Sequence, residues 1–308
     1  MNAPYEREGR AAAESVLVVS EPSRAGIVVR GRDRLSWLNG LLTCELAKLD
    51  PGEGAYGLLV EKKGRIQTDL YLAPAEGADP SVVLGVPRDL RDALVATLDH
   101  YLIMEDAELV PVELSFFIAH GPRAAELGGV VRDRAGAFAG TVRLLPAGGL
   151  VIAVPVAEKA EIEARLAEEA ARLGGAFASD EAWEAVRVEQ GLPRFGVEVD
   201  ATLYPQEASL EKLAVSFSKG CYLGQEVVYM LENRGHVKRK LVPVDIEGAV
   251  PARGAAVTTP AGEAVGEIKS AVTGPVSGKA VGIAMVKWAH AKPSTELRVG
   301  ADAATVRA

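Results

Sequence analysis

Cysteine is scarce in this chain: 308 residues contain two, Cys44 and Cys221, far apart in sequence. A disulfide framework is therefore not expected, and two isolated thiols cannot build a four-ligand zinc or cluster site. Long apolar runs are missing as well. The stretch Val16–Val19 is too short for the core of a secretory signal, and nothing approaches the roughly 20 apolar residues of a membrane-spanning helix. The reading is a cytoplasmic protein with no membrane partner. Positive charge is also in deficit, with 34 Lys and Arg against 42 Asp and Glu, a formal net charge of -8. A general nucleic-acid binder needs a cationic face, so nucleic acid is not expected as a partner, and any anionic ligand must be held locally.

What is present is an ordinary globular composition, 48% hydrophobic and 25% charged, long enough for two or three domains. GIVVRG reads as a strand, and DRLSWLNGLLTCEL places Leu35, Leu38, Leu42 and Leu46 at helical spacing. Residues 66–73 and SVVLGVP read as strands, and Leu90, Leu94, Leu98 and Leu102 mark one face of a helix. From about Glu113, FFIAHG, TVRLL and GLVIAVP are strand candidates, followed by a helix carrying Ile162, Leu166 and Leu173. A further helix is expected from an N-cap at Asp180 to Gly191. Beyond His236, short strand-like pieces separated by Gly and Pro (KLVPVDI, AAVTT, AVGEIKS, AVGIAMV, TELRV) suggest a small barrel or sandwich. These divisions predict an α+β protein with units at 1–112, 113–236 and 237–308.

Several motifs carry chemistry on one reading and none on another. GEGAYG at 52–57 matches a dinucleotide-binding pattern but lacks the strand-turn-helix setting, so it reads as a turn. Asp69, among the apolar residues of a strand, is either an edge solvent group or a carboxylate for a substrate amine. Glu189 falls in the last turn of its helix, where the macrodipole disfavours an anion by about 0.3–1 kcal/mol. It either pairs with Arg187 or Arg194, or binds a cyclic amidine such as a pterin through two parallel N–H groups. In SKGCYLGQEVVYMLENRG, a helix over 225–232 places Cys221 just before its positive end with Lys219 nearby, a setting that favours thiolate, although most free cysteines are packing residues. For Cys44, among leucines, packing is the reading. Arg234, His236, Lys238, Arg239 and Lys240 form a dense basic run, either a solvated linker or a site for carboxylate or phosphate.

RVEQGLPRFGVEVD, YPQEASLEKLAVSFSKGCYLGQEVV and RGHVKRKL, in this order and spacing, resemble the YgfZ/GcvT-like tetrahydrofolate-binding proteins, and KGCYLGQE resembles the YgfZ branch. DRLSWLNGLLTCEL and PGEGAYGLLVEKKGRIQTDLYL extend the likeness towards the amino terminus. The resemblance implies a cloverleaf of three domains around a central folate cavity, ending in a small β-barrel. It implies tetrahydrofolate, or a one-carbon-substituted form, as cofactor, and support of iron-sulfur cluster assembly or repair in client proteins. The alternative is a folate-dependent aminomethyltransferase of the glycine-cleavage type, and whether the chain turns over a substrate itself is left open by the likeness. Matching positions assign Cys221 and Asp69 to the chemistry, and Glu189, Arg194, Lys219, Tyr222, Gln225, Glu226 and Arg234 to the cofactor, with no metal. Thr68 stands where aminomethyltransferases usually carry the first of two aspartates, and TCEL replaces an Asn-Asp pair common in the family. Thr68 and the KGCY sequence at the cysteine position favour the YgfZ branch, whereas TCEL weakens any carry-over of ligand contacts to Cys44 and Glu45, which are left out of the expected site.

Overall fold

Alternation of apolar residues along most strands gives each sheet one face for a shared interior and one for its own helices. The computed structural model describes residues 3–75, 80–142 and 147–308. In chain order, helix α1 (Glu6–Glu14) leads into β1 (Leu17–Ser20), β2 (Arg24–Arg30), the short α2 (Arg34–Asn39), β3 (Ala55–Val60), β4 (Ile66–Pro74) and β5 (Val82–Pro87), then α3 (Arg91–Asp99) and β6 (Glu108–Val112). There follow β7 (Leu114–His120), β8 (Phe138–Val142), β9 (Gly149–Pro155), α4 (Lys159–Arg172), β10 (Ala176–Phe177), α5 (Asp180–Glu189), α6 (Glu211–Ala214) and α7 (Gln225–Asn233). The remaining strands are β11 (Arg239–Glu247), β12 (Ala256–Thr258), β13 (Ala264–Thr273), β14 (Ala280–Lys287), β15 (Glu296–Val299) and β16 (Asp302–Val306). The end of TVRLL, from residue 143 on, lies outside the described residues.

The strands form one sheet in the order β3-β4-β5-β2-β6, a second in the order β10-β1-β7-β9-β8, and a closed six-stranded barrel β11-β14-β13-β12-β15-β16. This is a mixed α+β architecture ending in a small barrel. Strand β1 lies in the second sheet, antiparallel to β7 and parallel to β10, so the first strand of the chain crosses into the body built mainly from residues after 113. Adjacent phenylalanines show how one strand serves two cores. Phe116 enters the interior shared with Tyr56, Leu58 and Trp183, while Phe117 enters the layer under α4 with Ile162 and Leu166. Each such burial is worth about 1.5–3 kcal/mol. The shared interior also takes Leu241, Ile283 and Met285 from the barrel, so all three bodies contribute side chains to it.

Two helix boundaries differ from expectation. The helix read through Leu46 stops at Asn39, because the following residues bond elsewhere: Thr43 N donates to Leu58 O, Leu58 N to Thr43 Oγ1, and Leu46 N to Asn39 Oδ1. Helix α5 is capped by Ser179, whose Oγ accepts from Ala182 N at 3.2 Å, so Asp180 is the first helical residue and not the cap. Residues 55–57 of the glycine-rich segment lie in β3, as the turn-and-strand reading requires.

Candidate functional site

The strand period brings the first candidate site together. On the inner face of β4, Asp69 and Tyr71 stand two residues apart, and Tyr71 lies directly opposite Tyr56 of β3 with ring centroids 5.4 Å apart. Arg24, at the start of β2, reaches across to make a bidentate bond with Asp69: Nη1 to Oδ1 and Nη2 to Oδ2, both 2.8 Å. The Tyr56 hydroxyl donates to Oδ2 at 3.0 Å, and the Arg24 guanidinium lies 4.7 Å from the Tyr71 ring centroid. Asp69 is 2% exposed and Arg24 5%, so this is a buried, fully hydrogen-bonded pair. Burial opposes the charge on Arg24, but Asp69 more than compensates and holds its pKa above the ordinary value. Burial, with Asp69 nearby, also raises the Tyr56 hydroxyl, and burial raises Tyr71 against the pull of Arg24. Both phenols stay neutral at physiological pH.

Trp183, Arg187, Leu192, Pro193, Arg194 and Glu21 complete the walls of this pocket, whose volume is about 20 Å³. That is room for a single water, not for a pterin. A groove of about 340 Å³ adjoins it, lined by Ser23, Asp89, Phe195 and Val197, and shares Arg24 and Arg194 with the pocket. Arg194 bridges the two, donating to Glu184 at 2.9 Å and Ser23 Oγ at 3.4 Å and lying 3.8 Å from Glu21. Arg187, 1% exposed, is paired with Glu198 (3.0 Å) and with Glu184. Of the residues expected at the site, Asp69, assigned to the chemistry, and Arg194, assigned to the cofactor, line this pocket.

Glu189 points elsewhere. Its Oε2 accepts Val276 N at 2.9 Å and its Oε1 accepts Ser277 N at 2.8 Å, so the β13–β14 turn of the barrel supplies two parallel N–H donors. Neither Arg187 nor Arg194 pairs with it. The two charge-assisted bonds offset the unfavourable position at the helix end. A Cβ at position 274 would lie 2.4 Å from Glu189 Oε1, so a larger residue there would have to displace the carboxylate.

The KGCYLGQE segment forms a second cluster around α7. Lys219 Nζ donates to the carbonyls of Asn39, Leu42 and Cys44 at 2.7, 2.8 and 2.6 Å, and burial lowers its pKa. Tyr222 is buried in the shared interior and its hydroxyl is pushed up to about 12 by burial. Gln225 Nε2 donates to Gly220 O at 3.3 Å and closes the loop, while Glu226 and Arg234 are exposed at the two ends of α7. Gly224 takes φ 75°, and a Cβ there would lie 2.4 Å from Glu61 O, so the bend before α7 requires glycine. Cys221 is exposed; Cys44 is 6% exposed and burial pushes its thiol up to about 11. The candidate residues therefore divide into three settings: a closed polar pocket, a barrel contact, and an exposed thiol loop. Arg24, Tyr56, Tyr71 and Trp183 were not singled out in the sequence. Arg24 pairs with a residue 45 positions away, and the only local signal was the Tyr56 and Tyr71 side chains on strands that alternate towards one face. Among the described residues no cluster of three or more His, Cys, Asp or Glu is arranged to hold a metal ion, and no helix is long and apolar enough to cross a membrane.

Known proteins share this architecture. Residues 239–308 match the glycine cleavage T-protein C-terminal barrel domain. A probable aminomethyltransferase of Halobacterium salinarum is 27% identical over 97% of the chain and 88% of that protein. The tRNA-modifying protein YgfZ of Sodalis glossinidius is 26% identical over 73% of the chain and 70% of that protein. The crystal structure of glycine cleavage system aminomethyltransferase T from Bartonella henselae superposes with a TM-score of 0.80 at 19% identity, covering 99% of this chain and 88% of that one. The chain therefore has the aminomethyltransferase T fold along its whole length.

Proposed function

We propose that the protein binds a reduced folate at the Asp69–Tyr71 pocket and its adjoining groove, and that it supports iron-sulfur client enzymes through Cys221. The observation that carries this reading is the contrast between the two candidate reactive groups. Asp69 is sealed and held bidentately by Arg24, a poor setting for a carboxylate that must receive or orient a transferring amine, whereas the Cys221 thiol is open to partners. The chemistry of the pocket suits a flat heteroaromatic ligand with an anionic tail: Tyr56, Tyr71 and Trp183 supply ring faces and Arg194 supplies charge. Cys221 would act as a thiolate ligand to a client's iron, with no change of oxidation state. Alternatively it would exchange with a partner's disulfide, one S–S bond forming as another breaks and the partner's thiolate leaving. Aminomethyl transfer is the second reading, favoured by the curated names of most relatives. It requires Asp69 to be released from Arg24.

Iodoacetamide should label Cys221 in the native protein and Cys44 only after denaturation. In a deletion strain, Cys221→Ala should fail to restore iron-sulfur enzyme activities while keeping its fold and tetrahydrofolate affinity, and Cys44→Ala should restore them if it folds. A Cys221 that labels only on unfolding, or an alanine variant that rescues fully, would remove the thiol from the mechanism. Tetrahydrofolate-dependent release of ammonia from an aminomethyl-lipoyl carrier at an enzymatic rate would establish the second reading instead.

A further inference from the structure

The wall that separates the pocket from the groove is a single segment held from the barrel. Residues Leu192, Pro193 and Arg194 line the closed pocket, and Arg194, Phe195, Gly196 and Val197 line the groove. The segment is largely self-contained: Gly196 N donates to Val199 O, and Val197, Glu198 and Val199 all donate to Arg194 O. It starts at a glycine in the left-handed region, Gly191 at φ 70°, and contains a second, Gly196 at φ 83°, where no neighbour lies within 4 Å of the place a Cβ would take.

Five barrel contacts grip this segment and the helix end before it. Arg253 Nη2 donates to Val197 O at 2.7 Å, and Ser270 Oγ donates to Glu198. Arg307 Nη1 donates to Glu189 O at 2.5 Å, the Val276 and Ser277 amides hold the Glu189 carboxylate, and Pro243 packs on Gly191. On the pocket side the segment is held by the buried bidentate pair of Arg187 with Glu198, both bonds 3.0 Å, by Arg194, and by Leu192 O, which accepts from Arg187 at 3.2 Å.

We infer that residues 191–198 are a lid over the Arg24–Asp69 pocket, clamped shut by the barrel, and that its movement merges the pocket of about 20 Å³ with the groove of about 340 Å³ into one ligand-sized cleft. This deepens the folate reading, on which the choice of ligand rests. The lid itself is independent of it. A ligand that binds only the open state has its affinity reduced by the fraction of molecules that are open, so loosening a clamp outside the pocket should strengthen binding.

Arg253→Ala provides the test, because Arg253 lies on the barrel surface and lines neither the pocket nor the groove. In the ligand-free protein, amide hydrogen exchange of residues 194–199 should rise about two- to fivefold over wild type, as expected for loss of one such hydrogen bond. Exchange in the barrel strands should not change. Stopped-flow association of tetrahydrofolate should quicken by a similar factor. Unchanged lid exchange in Arg253→Ala and also in Ser270→Ala would overturn the lid. Faster exchange with a wild type that does not bind tetrahydrofolate would keep the lid and reject folate as its ligand. Faster exchange with no change in the association rate would show that the lid does not gate the site.

Discussion

Arg24→Met is expected to cost about 3–5 kcal/mol of folding stability, because it leaves the Asp69 carboxylate charged and without its bidentate partner in a site 2% exposed. The loss should be larger than methylene packing alone explains, since methionine keeps most of the arginine's apolar stem. Adding Asp69→Asn removes the stranded charge while leaving an oxygen to accept from Tyr56. The double variant Arg24→Met/Asp69→Asn should therefore recover a substantial part of the loss, with a coupling of at least about 1 kcal/mol between the two positions. Urea unfolding of the two single variants and the double variant closes this cycle. Additive losses would mean that the ion pair contributes little and that Asp69 is freer to act on a substrate than its geometry suggests.

The second large effect is acid sensitivity centred on His120. This residue ends β7, is 1% exposed and stacks on Trp183 with ring centroids 4.1 Å apart, and among the described residues neither ring nitrogen has a hydrogen-bond partner. Burial lowers its pKa from 6.5 to about 3. The unfolded chain thus takes up a proton near pH 6.5 that the folded chain refuses until about pH 3. Its contribution to stability is complete above pH 6.5 and declines as the pH falls through that window, at up to about 1.4 kcal/mol per pH unit. His120→Phe keeps a flat ring against Trp183 and removes both unpartnered nitrogens. At pH 7.5 it should be at least as stable as wild type. The gap between the two proteins should then widen by several kcal/mol between pH 6.5 and 4, measured by urea midpoints. Parallel pH curves would show that the imidazole finds a partner or solvent when it is protonated.

Trp183 connects the two regions, since it both lines the pocket and stacks on His120.

The strands were largely legible in the sequence because period-2 alternation and Gly or Pro boundaries are local signals, which is why β2, β4, β5, β7 and the barrel strands β11 to β15 fall where the pattern places them. β6 was not read, and most of its residues are only partly buried, so no alternating face stands out. The helix read over residues 34–46 failed for a reason no local pattern carries. Its second half is pulled out of the helix by backbone bonds to β3, and the freed carbonyls of Asn39, Leu42 and Cys44 are collected by Lys219, some 175–180 residues away. The early helix end and the buried position of Lys219 are thus one physical fact. The site was legible only in part on the same grounds. Asp69 drew notice as a charge among apolar residues, but Arg24, which decides what that charge can do, pairs with it only across the sheet. Glu189 drew notice because a helix C-terminus disfavours an anion, and the compensating donors proved to be barrel amides.

Calorimetric titration with tetrahydrofolate of the wild type and of Arg194→Glu, both shown to be folded, tests the central claim most directly. Saturable binding of one ligand per chain is expected in the wild type, weakened at least about tenfold by reversing the charge that bridges pocket and groove. Absence of binding by the wild type, or equal affinity in the two proteins, would contradict it.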